Sequence, residues 1–185
     1  MGHEGKSVII TGASSGLGAA LAHEFAAAGS NLTLFSPEED RQKEVAESCR
    51  ALGGQAQAVI GDVTDEMDCK GLIDKTMAQY GRVDYVIANA GISMWASFED
   101  VEDLGIFRKL MEVNYLGAVN CIYYALPHLK VSKGMIVAIT SIQSKIGVPL
   151  HTGYVASKHA LQGFCETLRM ELDGSGVDIL TVLPH

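Results

Sequence analysis

The amino-acid sequence predicts an α/β fold built on a parallel, doubly wound β-sheet. Short apolar segments alternate with longer segments of helical period along the whole chain. The apolar segments are nearly continuous in hydrophobic residues, as expected of strands that are buried on both faces. Glycines follow the ends of most helical segments, where a left-handed cap favours them. Strict alternation of strand and helix implies parallel strands joined by right-handed crossovers.

The pattern places each element in turn along the chain. Strands are expected at residues 8–11, 32–35, 56–60, 85–88, 135–140 and 179–183. Helices are expected at residues 17–28, 39–52, 66–80, 104–129 and 152–172. No repeat, low-complexity segment or internal linker interrupts the pattern, so residues 1–185 are expected to form a single domain. Together with the glycine-rich loop described below, this predicts six parallel strands in the order 3-2-1-4-5-6.

Composition and charge narrow the class of protein. The 185 residues are 48% hydrophobic and 19% charged, which is typical of a soluble globular protein. No apolar run approaches the ~18 residues of a membrane-spanning helix, and no targeting segment precedes the first strand, so a cytoplasmic protein is expected. The net charge of −8 and the scattered basic residues disfavour nucleic acid and anionic membranes as partners.

The cysteines and histidines show no metal-binding pattern. The four cysteines are far apart and form no CxxC motif: Cys49, Cys69, Cys121 and Cys165. The six histidines have no ligand spacing either. Reduced core thiols are therefore expected, without a disulfide framework or a zinc site.

A glycine-rich loop follows the first predicted strand and opens the first helix, with the sequence Thr11-Gly12-Ala13-Ser14-Ser15-Gly16-Leu17-Gly18. Gly12 permits a tight turn, Gly16 lets backbone amides approach a pyrophosphate, and Gly18 lets the helix pack on the strand. The helix N-terminus adds unpaired N–H groups and a partial positive charge. An ordinary glycine-rich turn is the alternative, but the strand before the loop and the helix after it favour a dinucleotide site.

Three further groups of polar residues stand where a functional site would need them. Asp62-Val63 follows the third predicted strand and Asn89-Ala90-Gly91 follows the fourth; plain turns are the alternative at both places. Tyr154 and Lys158 lie four residues apart on a predicted helix and therefore share a face. An ammonium group beside a phenol favours the ionised phenol, which can exchange a proton with an alkoxide or alcohol. The alternative for this pair is a surface i,i+4 contact.

The TGxxxGxG spacing, the strand-end residues and the YxxxK motif together resemble the short-chain dehydrogenase/reductase family, over residues 7–184. The resemblance implies a Rossmann fold and hydride transfer between NAD(P)(H) and a carbonyl or secondary alcohol. It implies that Asp62 contacts the adenine and that the Asn89-Ala90-Gly91 segment backs the cofactor and holds the sheet.

The same resemblance supplies roles for the catalytic residues. Tyr154 is the general acid and base, and Lys158 also faces the nicotinamide ribose. Ser141, thirteen residues before Tyr154, is expected to hydrogen-bond the substrate oxygen. Asn114 is expected to connect to Lys158 through a water chain. From the residues alone, Ser141 is equally a helix or turn cap, and Asn114 a buried polar residue that bends its helix.

The expected cofactor contacts combine the loop, the strand ends and the catalytic pair: Gly12, Ser14, Ser15, Gly16, Leu17, Gly18, Ser36, Asp62, Val63, Asn89, Ala90, Gly91, Tyr154, Lys158 and Pro184. The chain departs from the family in two places. Pro184-His185 replaces the usual Pro-Gly, and the substrate loop, its helices and the seventh strand do not follow. We therefore expect a domain that is truncated at its C-terminus.

The residues after the second predicted strand bear on cofactor choice. Ser36 stands where an NAD-selecting acid often lies, and Pro37 where the family often has arginine. The Ser36 hydroxyl and Arg41 would suit a phosphate, whereas Glu38 and the following Glu39 would oppose one. A solvated helix N-terminus is the alternative explanation of this acidic cluster. The missing acid at Ser36 slightly favours NADP(H) over NAD(H).

Substrate and assembly are the least determined features. The residues 148–151 and 158–160 resemble the hydroxysteroid and lipid-ketone reductase branch of the family. Met94, Trp95 and His151 are candidates for lining an apolar pocket, with loop packing as the equal alternative.

Apolar residues on several faces of 104–129 and 152–172 suggest a homodimer or homotetramer, as such helices pair between subunits in the family. A nucleotide-binding protein without turnover is the alternative function, disfavoured because both Tyr154 and Lys158 are present.

Overall fold

The computed structural model describes residues 2–184. The strands are β1 (Ser7–Thr11), β2 (Asn31–Ser36), β3 (Gln55–Ile60), β4 (Tyr85–Ala88), β5 (Met135–Ile139) and β6 (Asp178–Val182). The helices are α1 (Gly16–Ala27), α2 (Glu39–Ala51), α3 (Glu66–Tyr80), α4 (Gly105–Met111), α5 (Gly117–Ser132) and α6 (Thr152–Glu171). The six strands form one sheet in the order β3-β2-β1-β4-β5-β6, and every pairing between neighbours is parallel. The predicted Rossmann topology is confirmed.

Two hydrophobic clusters cover the two faces of the sheet. Alternate residues of β1 point to opposite sides, with Ile9 in the cluster formed with α3, α5 and α6 and its neighbours Val8 and Ile10 in the cluster formed with α1 and α2. All five residues of β1 are buried. Because helices lie against both faces, a central strand needs apolar residues at nearly every position rather than at every second one. This is the pattern by which the strands were predicted.

The long helix predicted at residues 104–129 is wrong in detail. The segment is α4, then a π-helical turn at Glu112–Leu116, then α5, which continues to Ser132 despite Pro127 in its interior. The π-helical turn holds one extra residue per hydrogen-bonded turn and therefore shifts the face that later residues present. Hydrophobic periodicity does not reveal such a shift, because apolar residues occur on several faces of this segment.

The remaining expectations for the chain concern its thiols and membrane character. All four cysteines are buried, as core thiols should be. Between residues 2 and 184 no helix has both the length and the apolar character needed to cross a membrane.

Candidate active site

A cleft of about 490 Å³ opens at the carboxyl ends of β1, β2, β3 and β4. In a doubly wound sheet this is where ligands bind, at the point where the strand order reverses. Its walls include most of the residues expected to contact a dinucleotide: Gly12, Ser14, Ser15, Leu17, Ser36, Asp62, Val63, Asn89, Ala90 and Gly91. We call it the dinucleotide cleft.

The glycine-rich loop forms one wall of this cleft, and its glycines differ in what they permit. Gly12 has a left-handed φ of +63°, and a Cβ there would lie 2.8 Å from the Cα of Ala90. A Cβ at Gly18 would lie 2.2 Å from the carbonyl oxygen of Gly12, so the helix packs against the loop only with glycine. Gly16 faces open space, and no side chain caps the N-terminus of α1. The first amides of α1 are therefore available to an anion.

Asn89 and Ala90 tie the end of β4 to the glycine-rich loop. The Asn89 side-chain amide donates to the carbonyl oxygens of Thr11 and Gly12 at 2.9 and 3.1 Å. The backbone N–H groups of Asn89 and Ala90 both donate to Thr11 Oγ1 at 3.0 Å. These bonds hold two neighbouring strand ends together, which is the sheet-holding part of the expectation for this segment. Asp62, also on the cleft wall, accepts from the Thr64 N–H at 2.9 Å and so forms a turn as well.

A second, adjoining cleft contains the expected catalytic residues. Ser141, Tyr154 and Lys158 line it together with Pro184. The two clefts share four residues, namely Leu17, Asn89, Gly91 and Ile92. We call this the catalytic cleft. The structure thus brings three of the four expected catalytic side chains to one place beside the dinucleotide cleft.

Lys158 is buried, with 4% of its surface exposed. Its Nζ donates to the carbonyl oxygen of Ile139 at 2.9 Å and lies 5.7 Å from the centre of the Tyr154 ring. Burial lowers the pKa of the Lys158 ammonium from 10.5 to about 8. The ammonium therefore loses its proton more readily than that of an exposed lysine, and it is held next to the phenol ring, in keeping with the i,i+4 spacing.

Asn114 lies in the π-helical turn, where it is buried and is not among the residues that line either cleft. Its Oδ1 accepts from the Ile92 N–H at 2.8 Å, and its Nδ2 donates to the Ile92 carbonyl at 2.9 Å. Nδ2 also donates to Ser157 Oγ at 2.9 Å, and that hydroxyl donates to the Tyr154 carbonyl at 2.8 Å. A Cβ at Gly91 would lie 3.3 Å from Asn114 Oδ1 and 3.5 Å from Lys158 Nζ. Asn114 therefore joins the backbone of Ile92, a residue that both clefts share, to α6. Gly91 lies close to both the Asn114 amide oxygen and the Lys158 ammonium.

Ser141 caps a turn and also lines the catalytic cleft, so both interpretations of its position in the sequence remain compatible with the structure. Its Oγ accepts from the Gln143 N–H at 3.1 Å and so caps the short 3₁₀ turn Ile142–Ser144. The same hydroxyl lines the catalytic cleft and lies 3.5 Å from the Pro184 carbonyl oxygen. Pro184 also accepts from the Ile142 N–H at 3.0 Å. The departure from Pro-Gly concerns His185, which lies outside the described residues.

Comparison with known proteins agrees with this geometry. A family model described as short chain dehydrogenase matches residues 6–185. The chain belongs to the short-chain dehydrogenase family. It is 44% identical over 180 residues to "11-beta-hydroxysteroid dehydrogenase-like 3" of Arabidopsis thaliana, and 40% identical over 182 residues to an 11-beta-hydroxysteroid dehydrogenase of Pinus massoniana. These alignments cover 97% and 98% of this chain but only 58% and 51% of the relatives, so the chain spans little more than half of their length.

A solved structure extends the likeness to three dimensions. The alcohol dehydrogenase of the archaeon Thermococcus sibiricus, complexed with 5-hydroxy-NADP, superposes with a TM-score of 0.91 at 29% identity. The match covers 97% of this chain and 75% of that one. The predicted family and its fold are therefore confirmed.

Sequence reasoning missed several residues of the dinucleotide cleft of this short-chain dehydrogenase. Phe35, Gly61, Ile92, Lys109 and Val113 also line it, as do Pro37 and Glu38, which the sequence singled out only for cofactor choice. Lys109 and Val113 are four residues apart across the start of the π-helical turn, and both belong to the walls of the cleft. Their proximity to Asn114 along the chain was a usable signal, whereas their approach to the glycine-rich loop depends on tertiary packing.

The three candidates for an apolar pocket are arranged differently from one another. Met94 is buried, and its sulfur accepts from the Gly153 N–H at 3.2 Å, which is loop packing. The Trp95 ring is 77% exposed and stands edge-on to the buried His151 ring at 4.8 Å. The His151 ring is in turn 6.2 Å from that of Tyr154. The exposed Trp95 side chain is therefore connected to Tyr154 through the His151 ring, which contacts both.

Proposed function

We propose that this chain is the nucleotide-binding and catalytic part of an NAD(P)(H)-dependent oxidoreductase acting on a carbonyl or secondary alcohol. One observation carries the proposal: the dinucleotide cleft and the catalytic cleft share Leu17, Asn89, Gly91 and Ile92. A dinucleotide that starts at the β2 and β3 ends of the first cleft therefore has a continuous path to the tyrosine of the second.

The residues present fit such a dinucleotide. The open space at Gly16 and the uncapped start of α1 leave backbone N–H donors for a pyrophosphate. Asp62 and Val63 offer a carboxylate and an apolar surface at the adenine end, which suits an aromatic base with an exocyclic amine. Lys158 and Asn89 lie at the opposite end, where the nicotinamide ribose is expected.

The proton step is assigned to this chain's own side chains. The nicotinamide, when bound, supplies or accepts the hydride. Tyr154 Oη gives its proton to the substrate oxygen in reduction and receives one in oxidation. The Lys158 ammonium, fixed by the Ile139 carbonyl, places a positive charge 5.7 Å from the centre of the Tyr154 ring. Ser141 Oγ accepts from the Gln143 N–H, and its hydroxyl makes a long 3.5 Å hydrogen bond to the Pro184 carbonyl oxygen, which it would exchange for one to the substrate oxygen.

Asn114 is proposed to support these groups without touching the substrate. Its three hydrogen bonds fix the Ile92 backbone and the α6 turn that carries Tyr154. The water chain expected from Asn114 to Lys158 would pass Gly91, since both polar groups lie close to its Cα hydrogen.

For the cofactor we propose NADP(H) in preference to NAD(H), and for the substrate an apolar ketone or secondary alcohol. The absence of an acid at Ser36 and the 5-hydroxy-NADP in the structural neighbour support the first. The names of the 11-beta-hydroxysteroid dehydrogenase relatives and the exposed Trp95 near Tyr154 support the second. We further propose a homodimer or homotetramer paired through α5 and α6.

The deciding experiment is a hydride-transfer assay of the full-length protein with NADPH and NADH over a panel of apolar and polar ketones. Consumption of reduced nicotinamide that depends on ketone and on Tyr154 is the expected result. Tight nucleotide binding with no turnover on any ketone or alcohol would instead favour the alternative, a nucleotide-binding protein that does not catalyse.

A further inference from the structure

Lys109 places a positive charge on the wall of the dinucleotide cleft. It lies in the last turn of α4, and its side chain is exposed. Among residues 2–184 it is the only lysine or arginine that lines this cleft, whereas two acidic residues, Glu38 and Asp62, line it as well. The formal charge of the cleft wall is therefore negative, as is the net charge of −8 on the whole chain.

Within residues 2–184 the Lys109 ammonium takes part in no ion pair. The two acidic groups of the cleft have other partners. The Glu38 carboxylate accepts from Ser14 Oγ at 2.9 Å and lies 3.5 Å from Arg41 Nη1. Asp62 accepts from a backbone N–H of its own turn at 2.9 Å. The charge of Lys109 is therefore available to an anion that enters the cleft.

The elements around Lys109 hold the base of its side chain in place. The next residue of α4, Leu110, is fully buried. One turn further along the chain, Val113 lines the same cleft, and Asn114 binds the backbone of Ile92, another residue of the cleft wall. The lysine side chain thus starts from a fixed point of the wall. Its flexible four-carbon stem lets the ammonium move toward a bound ligand.

We propose that the Lys109 ammonium binds the pyrophosphate of the dinucleotide. The inference deepens the proposed function and rests on it, since it assumes that a nicotinamide dinucleotide occupies the cleft. Each phosphoryl group of the pyrophosphate carries a negative charge, which a negative cleft wall opposes. The first amides of α1 offer hydrogen-bond donors but only a partial positive charge. Lys109 supplies a full positive charge, and an ammonium is a strong donor to phosphate oxygens.

The other charged groups of the ligand fit Lys109 less well. The oxidised nicotinamide ring is itself positive, and its ribose is expected beside Lys158 in the catalytic cleft, which Lys109 does not line. A 2′-phosphate is present only in NADP(H) and is expected at the carboxyl end of β2. The pyrophosphate is common to both dinucleotides. Lys109 should therefore strengthen the binding of NADP(H) and NAD(H) to the same extent.

Arg108 provides a matched control for Lys109. It is an exposed cation one residue earlier on the same helix, and it lines neither cleft. Arg108→Met therefore removes the same net charge without changing the cleft wall. Lys109→Met keeps most of the length of the side chain and removes its charge, whereas Lys109→Arg keeps the charge.

The test is the dissociation constant of NADP⁺ and of NAD⁺, measured by titration calorimetry on the full-length wild type and these three variants. At about 0.05 M salt, Lys109→Met should bind both nucleotides about five- to tenfold more weakly, as expected for the loss of a charged hydrogen bond at a partly exposed site. The loss should shrink to less than about twofold at 1 M salt, where charges are screened within about 3 Å. Lys109→Arg and Arg108→Met should stay near the wild type.

Three results would overturn the assignment of Lys109. Equal losses in Lys109→Met and Arg108→Met would show a general effect of net charge. A loss confined to NADP⁺ would place the ammonium at the 2′-phosphate. A loss that does not change with salt would show packing of the stem rather than charge.

Two further results separate this inference from the proposed function. A wild type that binds neither nucleotide would refute both together. A wild type that binds both nucleotides, with no change in Lys109→Met, would refute the role of Lys109 alone.

Discussion

Lys158 places an ammonium group in the interior, beside the tyrosine that is proposed to move the proton. Burial lowers the pKa of this ammonium from 10.5 to about 8. In the unfolded chain the lysine keeps its ordinary pKa, so the unfolded state binds more protons than the folded state between these two values. The free energy of unfolding therefore rises with pH across that window on account of Lys158.

The Lys158→Met variant should lack this contribution. Between about pH 8 and about pH 9.5 the free energy of unfolding of the wild type should rise by about 2 kcal/mol relative to that of Lys158→Met. The reason is that a pKa difference of one between the folded and unfolded states corresponds to about 1.4 kcal/mol. Denaturant unfolding of the nucleotide-free proteins at several pH values measures this. Lys130→Met, which removes an exposed lysine of α5, serves as the control and should follow the wild type. Parallel curves for Lys158→Met and the wild type would contradict the burial argument.

Tyr154 should tolerate the loss of its hydroxyl without a change in fold. Within residues 2–184 this hydroxyl has no hydrogen-bond partner, so Tyr154→Phe leaves no group unpaired. Turnover of the full-length protein should fall ~10²–10⁴-fold, the usual contribution of a positioned proton donor. The affinity for NADP⁺ and NAD⁺, measured by titration calorimetry, should stay near that of the wild type.

The matched control for this variant is Tyr123→Phe, since Tyr123 is an exposed tyrosine of α5 outside both clefts. It should retain full turnover. If Tyr154→Phe also kept most of its activity, the proton would have to come from another group, and the catalytic assignment would be wrong even though the fold is correct.

The start of α1 is the element on which the nucleotide site depends. Its backbone amides are uncapped, and Gly16 has a φ of +53° with open space where a Cβ would stand. Asparagine and aspartate tolerate this left-handed conformation better than other residues with side chains. Both replacements carry similar backbone strain at this position, so comparing them separates the effect of charge from that of shape.

Gly16→Asp should abolish nucleotide binding, because its carboxylate would meet the pyrophosphate at the helix N-terminus. Gly16→Asn has nearly the same shape without the charge and should weaken binding much less. Titration with NADP⁺ and NAD⁺ distinguishes the two variants. Unchanged affinity in Gly16→Asp would place the pyrophosphate elsewhere.

The outer surface of the molecule carries exposed apolar side chains at and just before α5, one of the two helices proposed to join subunits. Leu116 and Tyr123 are seven residues apart, at the start and in the middle of the α5 region, and are 44% and 69% exposed. Residues at this spacing lie on nearly the same helix face. Apolar side chains that share an exposed face are typical of subunit interfaces.

Tyr123→Glu should therefore shift the protein toward the monomer, measured by sedimentation velocity over a range of concentrations. Met67→Glu is the control, because Met67 is an equally exposed apolar residue on α3, at 66%. It should leave the assembly unchanged. A wild type that sediments as a monomer at high concentration would refute the proposed oligomer.

The sequence by itself determined the sheet, its strand order, the family and many of the residues that line the two clefts. These features follow from local patterns: strand residues such as Val8, Ile9 and Ile10 are apolar because helices cover both faces, and glycines stand where turns need them. Ser141 follows a strand, and Tyr154 and Lys158 share a helix face, so the fold class by itself predicts that these three side chains lie at one edge of the sheet.

Only the tertiary structure decided the features that depend on contacts between distant segments. The π-helical turn directs Asn114 to the Ile92 backbone, and the depth of Lys158 in the core sets its pKa. Ser14 and Glu38 are 24 residues apart, yet the Ser14 hydroxyl donates to the Glu38 carboxylate on the wall of the dinucleotide cleft. Hydrophobic periodicity records which face of an element is buried, but not which side chain of another element lies against it. Burial and charge at a site are properties of that packing, so no segment of sequence contains them alone.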